Sequence, residues 1–222
     1  PEYFRLEEPN VFLLERAFYR MDEEDWEEET DILKLDNICR KRFGLPPKEE
    51  AGAQPWTLKE DPRIYGILNL KFIVESEIEV QAILALENRD QTKIFVNGIE
   101  ADGSSKGWFV DECIEKVEIP LIHKGNNEII LQIPYHSGAN IESCYLLGNF
   151  GVQVFGRVKR MIPMPEKIFF GDLTRQGFPF YGGNITYGCK LESRGERIRL
   201  KAQYFNSPLL AADLDGKRKG TI

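Results

Sequence analysis

The stretch EVQAILALENRDQTKIFVNG, residues 79–98, decides the fold class of this chain. Two short runs rich in Ile, Leu, Val and Phe flank the polar cluster ENRDQ, as two strands flank a loop. The second run ends on Asn97-Gly98, a dipeptide that tolerates positive φ and is typical of tight hairpin turns. Both features predict antiparallel β-structure.

The same pattern extends over most of the chain beyond Trp56. Apolar runs recur between turn clusters: LNLKFIV (68–74), KVEIPLI (116–122), NEIILQIPY (127–135) and YLLGNFGVQVFGRV (145–158). No crossover helices separate these runs, which excludes a parallel βαβ fold and predicts an all-β, two-layer jelly-roll sandwich. The turn KGNN, residues 124–127, is predicted to join EIPLI and EIILQIP as a hairpin.

The N-terminal segment adds a strand and the one amphipathic helix of the chain. NVFLLERAFYR (10–20) is predicted to be a strand, and the acidic MDEEDWEEE that follows is predicted to be a solvated turn anchored by Trp26. From Thr30 to Phe43 the apolar spacing becomes helical, with Thr30 as the cap and Gly44 as the stop. The predicted buried face of this helix comprises Ile32, Leu35, Ile38, Cys39 and Phe43.

Two breaks divide the chain into three predicted domains. A linker, GLPPKEEAGAQP, ends the N-terminal unit (1–55), and Pro163-Met164-Pro165 separates the sugar-binding-like jelly roll (56–160) from C-terminal strands (161–222). That last unit is predicted to be an incomplete second sandwich, or to complete the first. Its predicted strands are KIFFGD, NITYGCKLE, RIRLKAQY and LLAADLDG, the last with a tight Asp215-Gly216 turn.

Composition excludes several classes of protein. With 42 % hydrophobic and 29 % charged residues among 222, the chain is typical of a globular protein. Residues 1–31 hold 12 acidic and 3 basic side chains, a balance of −9, against 24 acidic and 26 basic elsewhere, or +2. An acidic segment repels phosphate, and no basic stripe is present, which argues against nucleic acid. No apolar run is long enough to span a membrane, and the start at Pro1 suggests a fragment of a longer protein.

The cysteines and histidines do not form a readable metal site. Cys39, Cys113, Cys144 and Cys189 are separated by 74, 31 and 45 residues, unlike the close pairs of zinc sites. We expect free thiols, with a disulfide or a metal role as the alternative; free thiols slightly favour a reducing, cytoplasmic compartment. No serine elbow, phosphate loop or calcium-loop pattern is present, so no cofactor and no metal are predicted.

Three stretches resemble a known group of bacterial proteins. LALENRDQTKIFVNG (84–98) followed by GWFVDECIEKVEIPLIHKGNNEIILQIPY (107–135) resembles the galactose-binding-like jelly roll, the sugar-binding domain of glycoside hydrolase family 2 and its α-L-rhamnosidase-like relatives. NIESCYLLGNFGV (140–152) and GDLTRQGFPFYGGNITY (171–187) extend the resemblance, which covers residues 10–222. The barrels that carry catalysis in those proteins are absent from this chain. The resemblance therefore implies a non-catalytic accessory domain of a glycoside-hydrolase-like parent.

Two places carry the candidate carbohydrate-binding residues. Trp108 lies in a predicted polar loop, where its ring is able to stack on sugar C–H groups while Asp111 accepts hydrogen bonds from sugar hydroxyls. The alternative is that Trp108 folds back and closes one end of the sandwich. The second place holds Arg175, Gln176, Phe180 and Tyr181, which would line a sugar subsite or pack against another domain. No pair of the 36 acidic residues is singled out by spacing, so no catalytic residue is predicted.

Three functions remain open from the sequence. The first is an accessory sandwich that braces the catalytic domain and contacts its carbohydrate. The second is an autonomous carbohydrate-binding module. The third is a purely structural or protein-interaction domain, in which the acidic N-terminal segment or the aromatic stretch 178–181 docks a partner.

Overall fold

The computed structural model describes residues 1–47, 63–192, 195, 199–201 and 207–221. Over these residues the chain is an all-β sandwich with a single α-helix, as the sequence predicts. The predicted linker therefore falls partly outside the described residues, as does most of the predicted strand RIRLKAQY.

The first layer is a five-stranded antiparallel sheet in the order β2-β12-β6-β10-β9. Val80 and Ile122 form an isolated bridge just beyond the ends of the neighbouring strands β6 and β10. The strands are β2 (Asn10–Leu14), β6 (Ile83–Leu86), β9 (Ser105–Phe109), β10 (Asp111–Glu118) and β12 (Cys144–Gly148).

The second layer is an eight-stranded sheet in the order β13-β14-β5-β11-β7-β8, with β3 beside β5 and β4 beside β3. Its longest pairing, between β5 and β11, runs from Gly66↔Tyr135 to Ser76↔Gly125, and only the short β14–β5 pairing is parallel. The strands are β3 (Arg16–Met21), β4 (Glu27–Asp31), β5 (Gly66–Ser76), β7 (Lys93–Val96), β8 (Ile99–Glu100), β11 (Gly125–Tyr135), β13 (Gly151–Phe155) and β14 (Val158–Ile162).

One continuous core fills the space between the two layers. It combines Leu84, Val117 and Leu146 from the first sheet with Leu70, Phe72 and Leu131 from the second, all nearly inaccessible to solvent. These residues alternate with outward-facing ones, because successive side chains of a strand point to opposite faces. The jelly-roll connectivity and the domain boundaries stay predictions.

The N-terminal segment joins both layers. NVFLLERAFYR forms two strands in place of the predicted one, because β2 pairs with β12 in one sheet whereas β3 pairs with β5 in the other. Part of the predicted acidic turn is also a strand, since Glu27–Asp31 forms β4 against β3. Trp26 does anchor this segment: its ring lies 4.2 Å from Lys71 Nζ and 4.7 Å from the Arg20 guanidinium.

The helix α1 (Ile32–Arg42) begins one residue later than predicted, because its cap is Asp31 in place of Thr30. The cap is Asp31, whose Oδ1 accepts from Leu33 N at 3.0 Å, because Thr30 belongs to β4 and its hydroxyl donates to Glu28 O. Ile38, predicted to be buried, is 41 % exposed. The stop is confirmed, since Gly44 has a φ of 67°.

A buried polar network fastens α1 to the second sheet. Tyr135 on β11 donates its hydroxyl to Asp36 Oδ1 at 3.0 Å, and Arg40 Nε donates to Asp36 Oδ2 at 2.9 Å. The Arg40 guanidinium also donates to Ser137 O at 2.6 Å. Burial, followed by the charge of Asp36, raises the pKa of Tyr135, so its hydroxyl stays a donor.

The predicted hairpin at Asn97-Gly98 is confirmed, whereas the predicted hairpin at KGNN is wrong. Asn97 and Gly98, with φ of 51° and 79°, turn β7 directly into β8. The KGNN segment instead connects β10 of the first sheet with β11 of the second, so its flanking strands are not paired. Asn127 shapes this inter-sheet connection: its Oδ1 accepts from His123 N at 2.8 Å and its Nδ2 donates to His123 O at 2.7 Å.

The C-terminal residues form two small sheets outside the sandwich layers. The strand β1 (Tyr3–Leu6) pairs with β15 (Ile185–Gly188), and β16 (Ala211–Leu214) pairs with β17 (Lys217–Thr221) across the predicted Asp215-Gly216 turn. The predicted strand KIFFGD is wrong. The backbone of Phe169 there pairs with the Gln176 side chain, where a strand would pair with a neighbouring backbone.

Candidate functional site

The outer face of the five-stranded sheet carries a second apolar cluster, the outer patch. Its centre consists of Val11, Ala85 and Leu147, which are buried although they point away from the core. Side chains around the centre are half-buried and belong to four strands and one loop: Ile83, Phe109, Ile114, Tyr145 and Phe180. Runs such as AILAL are apolar on both faces because one face lines the core and the other this patch.

An open groove of about 590 Å³ lies at one end of the outer patch, between the sheet and the residues that follow β8. Ile83 and Leu147 of the patch continue into it, beside Pro9 and Pro120. Its polar side chains are the Gln81 amide and the carboxylates of Glu100, Asp102 and Glu118. The groove therefore combines an apolar floor with acidic side chains.

Two local hydrogen bonds restrain Asp102, one of the three groove carboxylates. Asp102 Oδ1 accepts from the backbone N–H of Ser104 at 3.0 Å and from its hydroxyl at 3.2 Å, and these bonds hold the pKa of Asp102 below its usual range. Lys106 Nζ lies 3.9 Å from Glu118 Oε2. The Arg89 guanidinium packs against Gly103, the residue after Asp102.

Aromatic rings occupy the other end of the outer patch. Phe109 and Tyr145 have ring centroids 5.5 Å apart. Phe180 lies at the margin, with Lys159 Nζ 5.6 Å from its ring centre. That lysine is held in place, since it donates to Leu13 O at 2.6 Å and to Glu15 Oε1 at 2.9 Å. The face therefore presents aromatic rings at one end and carboxylates at the other.

The predicted residues Trp108 and Asp111 lie at the edge of this sheet and not in the groove. Trp108, 53 % exposed, pairs across the strands with Glu115, which pairs with the core residue Leu86. Cross-strand partners share a face, so Trp108 points to the opposite side from Phe109. Asp111 Oδ1 accepts from Cys113 N at 3.0 Å, and bonds to Cys113 lower the pKa of its carboxyl.

The turn between these two residues is strained. Val110 has a φ of 65°, a backbone region that β-branched side chains rarely adopt, and it is 77 % exposed. Nothing packs the side chain into this conformation from inside the sandwich, so the tight β9–β10 turn itself imposes it.

The second group of predicted residues is mostly engaged within the protein. Gln176 accepts from Phe169 N at 2.6 Å and donates to Phe169 O at 3.1 Å and to Asp172 O at 3.0 Å. Arg175 is solvent-exposed, 3.8 Å from Asp172. Gln176 thus closes the 169–176 loop, and of the two only the Arg175 side chain extends into solvent.

Tyr181 joins the C-terminal segment to the N-terminal one. Its hydroxyl donates to Glu8 Oε2 at 2.8 Å, and the same carboxylate accepts from Asn184 N at 2.6 Å and Asn184 Nδ2 at 2.8 Å. Burial and the bond to Glu8 raise the pKa of Tyr181 to about 12. Of the four predicted residues in this group, the structure brings only Phe180 to the outer patch.

The sequence reasoning missed the groove. Its carboxylates come from the segment after the Asn97-Gly98 turn and from the end of β10, and each is unremarkable among the acidic residues nearby. The sequence did contain a weak signal for the outer patch. Ile83, Ala85 and Leu147 are apolar, although the solvent-facing side of an antiparallel sheet is usually polar.

Other chemistry is not assembled among the described residues. No group of three or more His, Cys, Asp or Glu side chains there is arranged to hold a metal ion. The four cysteines are free thiols, of which Cys39 and Cys144 are buried. Within the same part of the chain, no helix has the length and apolar character to cross a bilayer.

Comparison with protein-family models, with curated proteins and with solved structures finds no match in any of the three. The resemblance to the galactose-binding-like domains accordingly stays a prediction.

Proposed function

We propose that this chain is a non-catalytic accessory β-sandwich of a glycoside-hydrolase-like protein, which braces the catalytic domain and contacts carbohydrate. The groove on the outer face of the five-stranded sheet is the observation that carries the proposal. Carboxylates accept hydrogen bonds from sugar hydroxyls, and an apolar floor suits the C–H faces of a sugar ring. Glu118 and Leu147 combine these two properties within one cavity.

The electrostatics of the carboxyl groups supports a binding role over catalysis. Glycoside hydrolysis requires a carboxylic acid whose pKa is raised, so that it is protonated when it meets the glycosidic oxygen. Across the described residues, every carboxyl group with a shifted pKa has it lowered, Asp102 of the groove included. An ionised carboxylate orients hydroxyls but has no proton to give.

The bracing role is supported by an aromatic pair outside the sandwich. Phe169 and Phe170 are 74 % and 71 % exposed on the loop that Gln176 closes. The Phe170 ring lies 4.5 Å from that of Tyr187 on β15. Aromatic side chains are enriched in protein interfaces. In this proposal the remaining domains of the parent polypeptide cover Phe169 and Phe170.

Titration of the isotope-labelled protein with neutral oligosaccharides tests carbohydrate contact. We expect amide shifts confined to the groove, with an affinity on the order of millimolar because an open site gains little per contact. The double variant Asp102→Asn, Glu118→Gln is expected to weaken binding about tenfold, while the exposed control Glu112→Gln on the same strand leaves it unchanged. Absence of shifts at high sugar concentration would contradict the proposal.

The bracing role has a separate test in the parent protein. Mixing this chain with the rest of the parent polypeptide is expected to give a complex, and replacing both Phe169 and Phe170 with Ser is expected to weaken it at least tenfold. The control is Val154→Ser, an exposed apolar residue on β13. Equal affinity of both variants and the native chain would count against the aromatic pair as the contact.

A further inference from the structure

The lining of the groove is rich in carboxylate side chains. Among its described lining residues there are three carboxylates and no lysine or arginine. Two cations outside the lining lie beside these carboxylates: Lys106 Nζ is 3.9 Å from Glu118 Oε2, and the Arg89 guanidinium packs against Gly103, next to Asp102. With three carboxylates against these two cations, the groove carries more negative than positive charge.

We infer that the groove selects uncharged or amino-bearing saccharides and rejects uronic-acid and sulfated ones. The inference rests on the proposed function, because it assigns the class of sugar to the same site. A carboxylate or sulfate on the ligand brings a fourth negative group into the groove, beside the three carboxylate side chains of its lining. A hydroxyl or ammonium group donates to the oxygens of those carboxylates.

The structure restrains the residues whose carboxylates would repel an anion. Asp102 is held by two hydrogen bonds from Ser104, so its oxygens do not swing away. Glu118 is the last residue of β10, and its backbone pairs with Ile83 of β6. Across the groove, Glu100 is on the short strand β8 that pairs with β7. The floor of Ile83 and Leu147 offers an anion no donor.

Matched tetrasaccharides of galactose, galacturonic acid and galactosamine test the inference by calorimetry or amide titration. At low salt we expect galacturonate to bind at least about tenfold more weakly than galactose, and galactosamine to bind as well or better. Near 1 M salt the difference is expected to shrink, since the Debye length falls to about 3 Å. A purely steric preference would not respond to salt.

Variants separate the inference from the proposal on which it rests. Asp102→Asn combined with Glu118→Gln is expected to bring galacturonate to within about threefold of galactose, whereas Glu112→Gln leaves the ratio unchanged. Galacturonate binding as tightly as galactose to the native protein would overturn the inference and leave carbohydrate binding standing. Failure of all three tetrasaccharides to bind would overturn both.

Discussion

The two-layer sandwich and the C-terminal segment that follows Pro165 have similar apolar runs in sequence but differ in how far these runs are buried. Phe72, in the run LKFIV, is 1 % exposed between the two sheets, whereas Phe170, in the run KIFFG, is 71 % exposed beside β15. The runs differ little in hydrophobicity. Burial depends on whether a second layer faces the strand, so an apolar run indicates a core residue only where the topology supplies that layer.

One ionic pair in the sandwich and one in the C-terminal segment differ in burial in the same way. Asp36 and Arg40 are nearly inaccessible, and Tyr135, Ser137 and Pro46 provide their further hydrogen bonds. Asp213 and Arg218 form a pair across the β16–β17 hairpin with both side chains about half exposed. The first pair sits where water cannot replace a lost partner, and the second sits where water replaces it at once.

The largest effect is expected from breaking the buried pair. Asp36→Ala leaves the Arg40 guanidinium buried without its counter-charge, which is expected to lower the free energy of unfolding by about 3–5 kcal/mol. The matched change Asp213→Ala is expected to cost less than about 1 kcal/mol, because its partner is solvated. Urea denaturation of both variants measures the difference, and equal losses would show that the two regions are equally buried.

Next comes the removal of one apolar side chain from each region. Leu84→Ala opens a cavity between the two sheets and is expected to cost about 2–5 kcal/mol. Leu214→Ala, on the exposed strand β16, is expected to stay within about 0.5 kcal/mol of the native protein. The same denaturation experiment applies, and a loss above about 2 kcal/mol for Leu214→Ala would place β16 within a packed core.

The contact between Glu8 and Asn184, which joins the start of the chain to the C-terminal segment, is expected to depend on pH. Hydrogen bonds from Asn184 and Tyr181 hold the pKa of Glu8 below its usual range. A depressed folded-state pKa means that the contact stabilises above the unfolded-state pKa, near 4.5, and is lost as pH falls through the folded-state pKa. Glu8→Gln is expected to lower hydrogen-exchange protection of the Asn184 amide about three- to tenfold at neutral pH.

A low-pH series of the same measurement provides the control for Glu8. The native and Glu8→Gln proteins are expected to converge as the carboxyl protonates, while Glu2→Gln matches the native protein at every pH. A difference that stays constant down to low pH would mean that the Glu8 charge does not hold this contact.

Thiol reactivity gives the mildest test, since it leaves the fold intact. Burial raises the pKa of Cys39 and Cys144 to about 12, so both are expected to resist alkylation until the protein unfolds. Cys113 is exposed, but its bond to Asp111 raises its pKa to about 11. Asp111→Asn is expected to speed its alkylation about tenfold, as followed by mass spectrometry. Rapid labelling of Cys39 or Cys144 in the native protein would contradict the described core.

Much of the fold was predictable because its signals are local. The Asn97-Gly98 and Asp215-Gly216 turns need only two residues able to adopt positive φ, and both occur where predicted. The errors arose where a distant partner decides the structure. Ile38 falls on the predicted helix face yet is exposed, because the core reaches only Ile32, Leu35 and Cys39 on α1.

The candidate site shows the same division more sharply. Trp108 and Asp111 were selected for their chemistry, but the direction of the Trp108 side chain depends on the bulged pairing of β9 with β10. The groove residues were not selected, because Glu100 and Glu118 approach one cavity only once β8 and β10 have joined different sheets.

The sequence by itself determined the strand-rich character of this chain, its tight turns and the end of its helix, since these depend on backbone preferences within a few residues. Tertiary structure alone decided which sheet each strand joins, which apolar runs are buried and where the groove lies. Each of these depends on hydrogen bonds and packing between residues far apart in the chain, and local patterns carry no record of such partners.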